Sequence, residues 1–127
     1  MSEVMMGTLY DMNKAAIVNM SSLTNKELNK NLKKIKQFFL EKSDKYFMLL
    51  NRETYNFTLF NLGNKNDIAM KQTIDDLEEC LNNRGRIVSI EPDSAGNYEI
   101  WIVDDNKALV YYLFPYDLGV IEHGTEA

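Results

Sequence analysis

Leu28, Leu32, Ile35 and Phe39 recur at spacings of four, three and four residues. On a wheel of 100° per residue they fall within about 60° of one another, an amphipathic stripe. Thr24-Asn25-Lys26-Glu27 just before them is a capping-box pattern, in which the Thr24 hydroxyl meets the N3 amide and Glu27 reaches back. The spacing predicts a helix over 25–42. A second one follows over 67–83, with Met70, Ile74, Leu77, Cys80 and Leu81 on one side and Asn82-Asn83-Arg84-Gly85 as its stop. Gly85 suits the left-handed position after a helix. Asp11 is placed to cap a short helix over 12–19.

Strands show as a change of period. Tyr46-Phe47-Met48-Leu49-Leu50 is a continuous apolar run, a polar Asn51-Arg52-Glu53-Thr54 follows, and Tyr55, Phe57 and Leu59 then alternate with Asn56 and Thr58. This reads as an antiparallel hairpin with strands at 46–50 and 55–59. After the second helix come strands at 86–91, 98–103 and 108–114, separated by Pro92-Asp93-Ser94-Ala95-Gly96 and Asp104-Asp105-Asn106, with Pro115 ending the last. The order (α)αββαβββ, with runs of strands rather than strict alternation, predicts an α+β fold. It comprises a five-stranded, mainly antiparallel sheet with two main helices packed on one face. No repeat or linker divides the 127 residues, so one domain is expected over 1–127, with an N-terminal segment at 1–20 and a C-terminal tail at 119–127.

Charge is sorted by half. Residues 1–65 carry ten Lys/Arg against six Asp/Glu; residues 66–127 carry four against thirteen, so +4 and −9 make the net −5. Lys26, Lys30, Lys33, Lys34 and Lys36 all fall away from the apolar stripe of helix 25–42. Lys30, Lys33 and Lys34 would be the phosphate-tracking face of a nucleic-acid-binding accessory protein. The acidic net charge and the absence of Arg beside these lysines favour a merely solvated face. On helix 67–83, Asp75, Asp76 and Glu79 offer a docking surface for a basic partner, or pair with the lysine helix at about 0–1 kcal/mol per exposed pair.

Chemistry is sparse. The only Cys, Cys80, lies on the core side of its helix, and the only His, His123, lies in the tail. Neither has a metal-ligand spacing or a third group to orient it. No phosphate-cradling glycine loop or nucleophile elbow is present, so no enzyme, metal or cofactor is expected. The single Cys, the absence of an apolar leader and a longest apolar run of seven residues (108–114) point to a cytoplasmic protein without a membrane span.

The face of the sheet away from the helices remains. Tyr98, Ile100 and Ile102 should face the helices, which turns Glu99, Trp101 and Val103 the other way. Tyr112 and Phe114, or Tyr111 in the opposite register, would join Trp101 there. An aromatic patch rimmed by charge is typical of an interface, here with a protein partner or with a second copy of the chain. Equally, residues 1–20 would cover it; both readings stand.

Gly7-Thr8-Leu9-Tyr10-Asp11-Met12-Asn13-Lys14 and Tyr112-Leu113-Phe114-Pro115-Tyr116-Asp117-Leu118-Gly119-Val120-Ile121-Glu122 resemble small phage and prophage proteins of low-GC Gram-positive bacteria. The strands at 46–50 and 86–90 suit the same pattern. The resemblance implies an accessory protein of a mobile element that binds one host or phage protein, such as an inhibitor or modulator of a host defence factor. The functional expectation is therefore a non-enzymatic protein-binding module, with the nucleic-acid-binding reading second.

Overall fold

A computed structural model describes residues 15–63 and 65–116. Helix α1 spans Asn25–Glu41, and Thr24 Oγ1 accepts from the Glu27 amide at 3.1 Å, the cap that the sequence pattern predicts. Helix α2 spans Asp67–Asn82 and is capped by Asn66, whose Oδ1 accepts from the Ala69 amide at 2.8 Å. The apolar stripes of both are buried: Leu28, Leu32, Ile35 and Phe39 on α1, and Met70, Ile74, Leu77 and Leu81 on α2. Phe38 joins them, edge-on to Phe47 at 5.4 Å and to Tyr98 at 5.2 Å. The last turn of α1 has no basic residue of its own. Lys65 supplies the charge from elsewhere, donating to the carbonyls of Phe39 (3.0 Å) and Lys42.

The strands are β1 (Tyr46–Asn51), β2 (Phe57–Asn61), β3 (Arg86–Pro92), β4 (Tyr98–Asp104) and β5 (Lys107–Tyr116). They form one sheet in the order β2-β1-β5-β4-β3 with every pair antiparallel. The last strand thus inserts between the first hairpin and the meander and ties the two halves of the chain together. Both helices pack on one face, against Phe47, Leu49, Phe60, Ile87, Ile90, Ile100, Ile102, Tyr111 and Leu113. This is the α+β architecture and element order read from the sequence.

Three boundaries move. β2 begins at Phe57 rather than at residue 55, because the Asn51 side chain builds the turn: its Oδ1 accepts from the amides of Glu53 (2.9 Å) and Thr54 (3.1 Å). β5 runs through Pro115 to Tyr116. Its pairing with β4 ends at Leu113 opposite Tyr98, so beyond that point β5 is an edge strand and tolerates a residue without an N–H. Of the helix expected over 12–19, residues 15–18 are helical, and 12–14 lie outside the described residues, as does the tail at 119–127.

Gly85 is fixed by close approach. A Cβ there would sit 2.5 Å from the Val103 carbonyl oxygen, and its φ of +147° is one that side chains rarely adopt. The turn from α2 into β3 therefore packs directly on the β4 backbone.

Candidate functional site: the sheet face opposite the helices

Alternation sets this face residue by residue. Phe47 and Leu49 enter the helix-side core, so Tyr46, Met48 and Leu50 point away from it. Register then aligns their neighbours: Leu50 stands between Phe57 and Tyr112, and Met48 between Leu59 and Phe114. Met48 is buried at the centre; Leu50, Leu59, Tyr112 and Phe114 are half-buried, and Phe57 is 56% exposed. The Arg52 guanidinium lies 5.6 Å from the centroid of the Tyr112 ring, a cation over an aromatic at the rim. The face over β2, β1 and β5 is thus aromatic, apolar and partly accessible.

The tip that borders it is tightly knit. Asn51 donates its amide to Asn56 O (2.8 Å), Tyr55 donates to Asn51 O (2.9 Å), and Arg52 donates to Val110 O (3.0 Å). Tyr55 sits in this loop at φ 62° and is 73% exposed. A bulky side chain in the left-handed region is an outlier that costs about 1–2 kcal/mol. The neighbouring hydrogen bonds hold it there with its ring in solvent.

The other half of the face is closed. Val88, Trp101, Val103, Ala108 and Val110 form a second buried cluster, with Ile17 and Val18 packed against it. Arg86 ties this segment down, donating to the carbonyls of Val18 (2.8 Å) and Met20. Trp101 points away from the helices, as the alternation predicts, but is only 8% exposed, and its Nε1 donates to Glu99 Oε1 at 2.7 Å. It is a packing residue of the second cluster rather than a surface anchor. Tyr112 and Phe114 do share its face, whereas Tyr111 lies buried on the helix side. The two readings of this face therefore divide along the sheet: N-terminal residues close it over β3, β4 and the start of β5, and aromatic residues remain partly exposed over β2, β1 and the end of β5.

The charged helices also divide. Lys33 and Lys36 line one groove of about 260 Å³ with Asp75 and Glu78, so part of each charge set faces the other across α1 and α2. Asp75, Asp76 and Glu79 are exposed, and Asp76 accepts from Gln72 Nε2 at 2.9 Å. Lys30 and Lys34 line a different groove, along β3. The three lysines of the nucleic-acid reading are neighbours on α1 but border two grooves, Lys33 on the α2 side and Lys30 and Lys34 on the β3 side.

Arg84, read from the sequence only as part of a helix stop, is a structural hub. It donates to Cys80 O (2.7 Å), Cys80 Sγ (2.8 Å) and Thr58 Oγ1 (3.2 Å), and stacks 5.4 Å from the Tyr111 ring. The half-buried Cys80 is thereby engaged from its own helix end. His123 lies outside the described residues. Among the described residues no three His, Cys, Asp or Glu side chains gather where they could hold a metal ion, and no helix is long and apolar enough to cross a membrane. At the edge of the core, burial and secondarily the Glu41 carboxylate raise the Tyr98 hydroxyl above its ordinary value of 10.0.

Compared with protein-family models, with curated proteins and with solved structures, the chain matches none.

Proposed function

We propose that this chain is a non-enzymatic protein-binding module that docks through the sheet face over β2, β1 and β5. The observation that carries the reading is Phe57. It is more than half exposed on a rigid sheet, in register with Leu50 and, one strand further, with Tyr112. Aromatic anchors on a preorganised surface with a charged rim are the residues that dominate protein interfaces, at about 2 kcal/mol or more on truncation. Tyr55, held exposed at some conformational cost in the loop that leads into Phe57, offers a further aromatic side chain. The partner in this reading is a host or phage protein, and the effect inhibition or modulation, as the sequence resemblance would imply. A second copy of the chain is the other occupant of the same chemistry. The nucleic-acid reading has less support, because Lys33 shares a groove with the acidic Asp75 and Glu78, and Lys30 and Lys34 border another that also holds Glu27 and Glu91.

The test is affinity capture from the native host with the wild-type chain and with Phe57→Ala and Tyr112→Ala, beside sedimentation of the chain alone. A partner retained by the wild type and lost by both variants, with circular dichroism unchanged, supports the proposal. Capture that neither substitution weakens refutes this surface. Cys80→Ser and His123→Ala should keep the effect; its loss in either folded variant overturns the non-enzymatic reading.

A further inference from the structure

Among the described residues β3 is an edge strand: its one strand partner is β4, so one row of its backbone N–H and C=O groups faces outward. The chain itself occupies the beginning of that row. Leu23 donates its amide to Ile87 O at 2.8 Å, after which Thr24 turns the chain into α1. From residue 88 to residue 92 the strand instead borders a groove of about 710 Å³, whose opposite wall is the α1 flank of Glu27, Lys30, Asn31 and Lys34. A register shift at Val88 and the absent N–H of Pro92 bound the usable edge. Five residues of strand span about 16 Å.

We infer that this groove receives an extended acidic segment of a partner protein, which adds to β3 as a sixth strand. The charges set the pattern. Lys30 and Lys34 are one helical turn apart and both exposed on the α1 wall, so they meet alternate side chains of an added strand on the helix side, while the exposed Glu27 at the start of that wall disfavours an acid at the end nearest Thr24. Ile90 faces the helices, so Glu91 points to the other side of the sheet and repels acids there. The preferred segment therefore alternates, acidic toward α1 and neutral or basic toward Glu91. This surface is separate from the aromatic face, and the two stand or fall independently.

An array of end-blocked seven-residue peptides tests it, with Glu alternating with Thr, Val or Lys, and Lys-for-Glu controls. The expected binders carry alternate Glu; they shift the amides of residues 88–91 in NMR and protect the outward-facing ones among them in hydrogen exchange. N-methylation of one alternate set of peptide amides abolishes binding, whereas the other set is tolerated, because only one edge pairs. Lys30→Glu with Lys34→Glu, both at exposed sites, weakens binding about tenfold. Four results overturn the inference: no peptide of the array binding below millimolar concentration, shifts confined to the aromatic face, indifference to N-methylation, or a blocked edge because the free chain dimerises through β3. A single-stranded oligonucleotide that displaces the peptides and shifts the same amides more strongly also overturns it, in favour of nucleic acid.

Discussion

Trp101 shows what one residue reveals and what it conceals. Its side of the sheet follows from a period of two, and Tyr98, Ile100 and Ile102 do face the helices. Its burial does not follow, because the residues packed on its cluster, Ile17 and Val18, lie more than 80 positions away and carry no local mark of where they dock. Trp101 fluorescence should be blue-shifted and resistant to iodide. A red-shifted, freely quenched emission would contradict the closed half of the face. Tyr55 was equally illegible: nothing in Asn51–Phe57 announces that a Tyr takes the left-handed position, which emerges only once the Asn51 side chain closes the turn. Gly at this position removes strain of about 1–2 kcal/mol and adds about 0.5–1 kcal/mol of chain entropy cost. Tyr55→Gly should therefore leave the denaturation midpoint unchanged or slightly raised while weakening partner capture. A loss of stability beyond 1 kcal/mol would mean that the ring packs where the structure shows it exposed.

Elements were easier to read, because helix caps and apolar periods are written locally. α1 and α2 end within one residue of expectation, and the stripe residues of both are buried. Leu32→Ala and Leu77→Ala, at 4% and 0% exposure, should each cost about 2–5 kcal/mol in chemical denaturation. Curves that superimpose on the wild type would mean that the helix faces are misassigned. The strand order was the hidden part. Insertion of β5 between β1 and β4 is a long-range pairing, and with it came the extension through Pro115 that a local rule forbids. In the sequence Gly85 marks a helix stop, but the stronger constraint is the Val103 carbonyl 2.5 Å from any Cβ there. Gly85→Ala must push β4 away or shift the turn, and should destabilise by at least about 1–3 kcal/mol. A neutral Gly85→Ala in thermal melts would show that the turn relaxes freely.

At the scale of the whole molecule, the two-layer fold puts charge and aromatics on opposite sides. Asp76 and Glu79 lie on the outside of α2, while Phe57 and Tyr112 lie on the far face of the sheet. Packed layers are about 10 Å apart, and the Debye length at physiological salt is about 8 Å, so the α2 charges act on a partner at the aromatic face only as a screened field. Such a field alters encounter rates, whereas desolvated anchors set the lifetime of a complex. Asp76→Lys with Glu79→Lys should therefore change the association rate at low salt and vanish as an effect near 0.15 M, roughly one to two Debye lengths of screening. Phe57→Ala should raise the dissociation rate at every salt concentration, by about 30-fold if it is worth 2 kcal/mol. Surface plasmon resonance across a salt series separates the two. If the α2 reversal still abolishes binding at physiological salt while Phe57→Ala does not, the acidic helix is the interface and the sheet face is not.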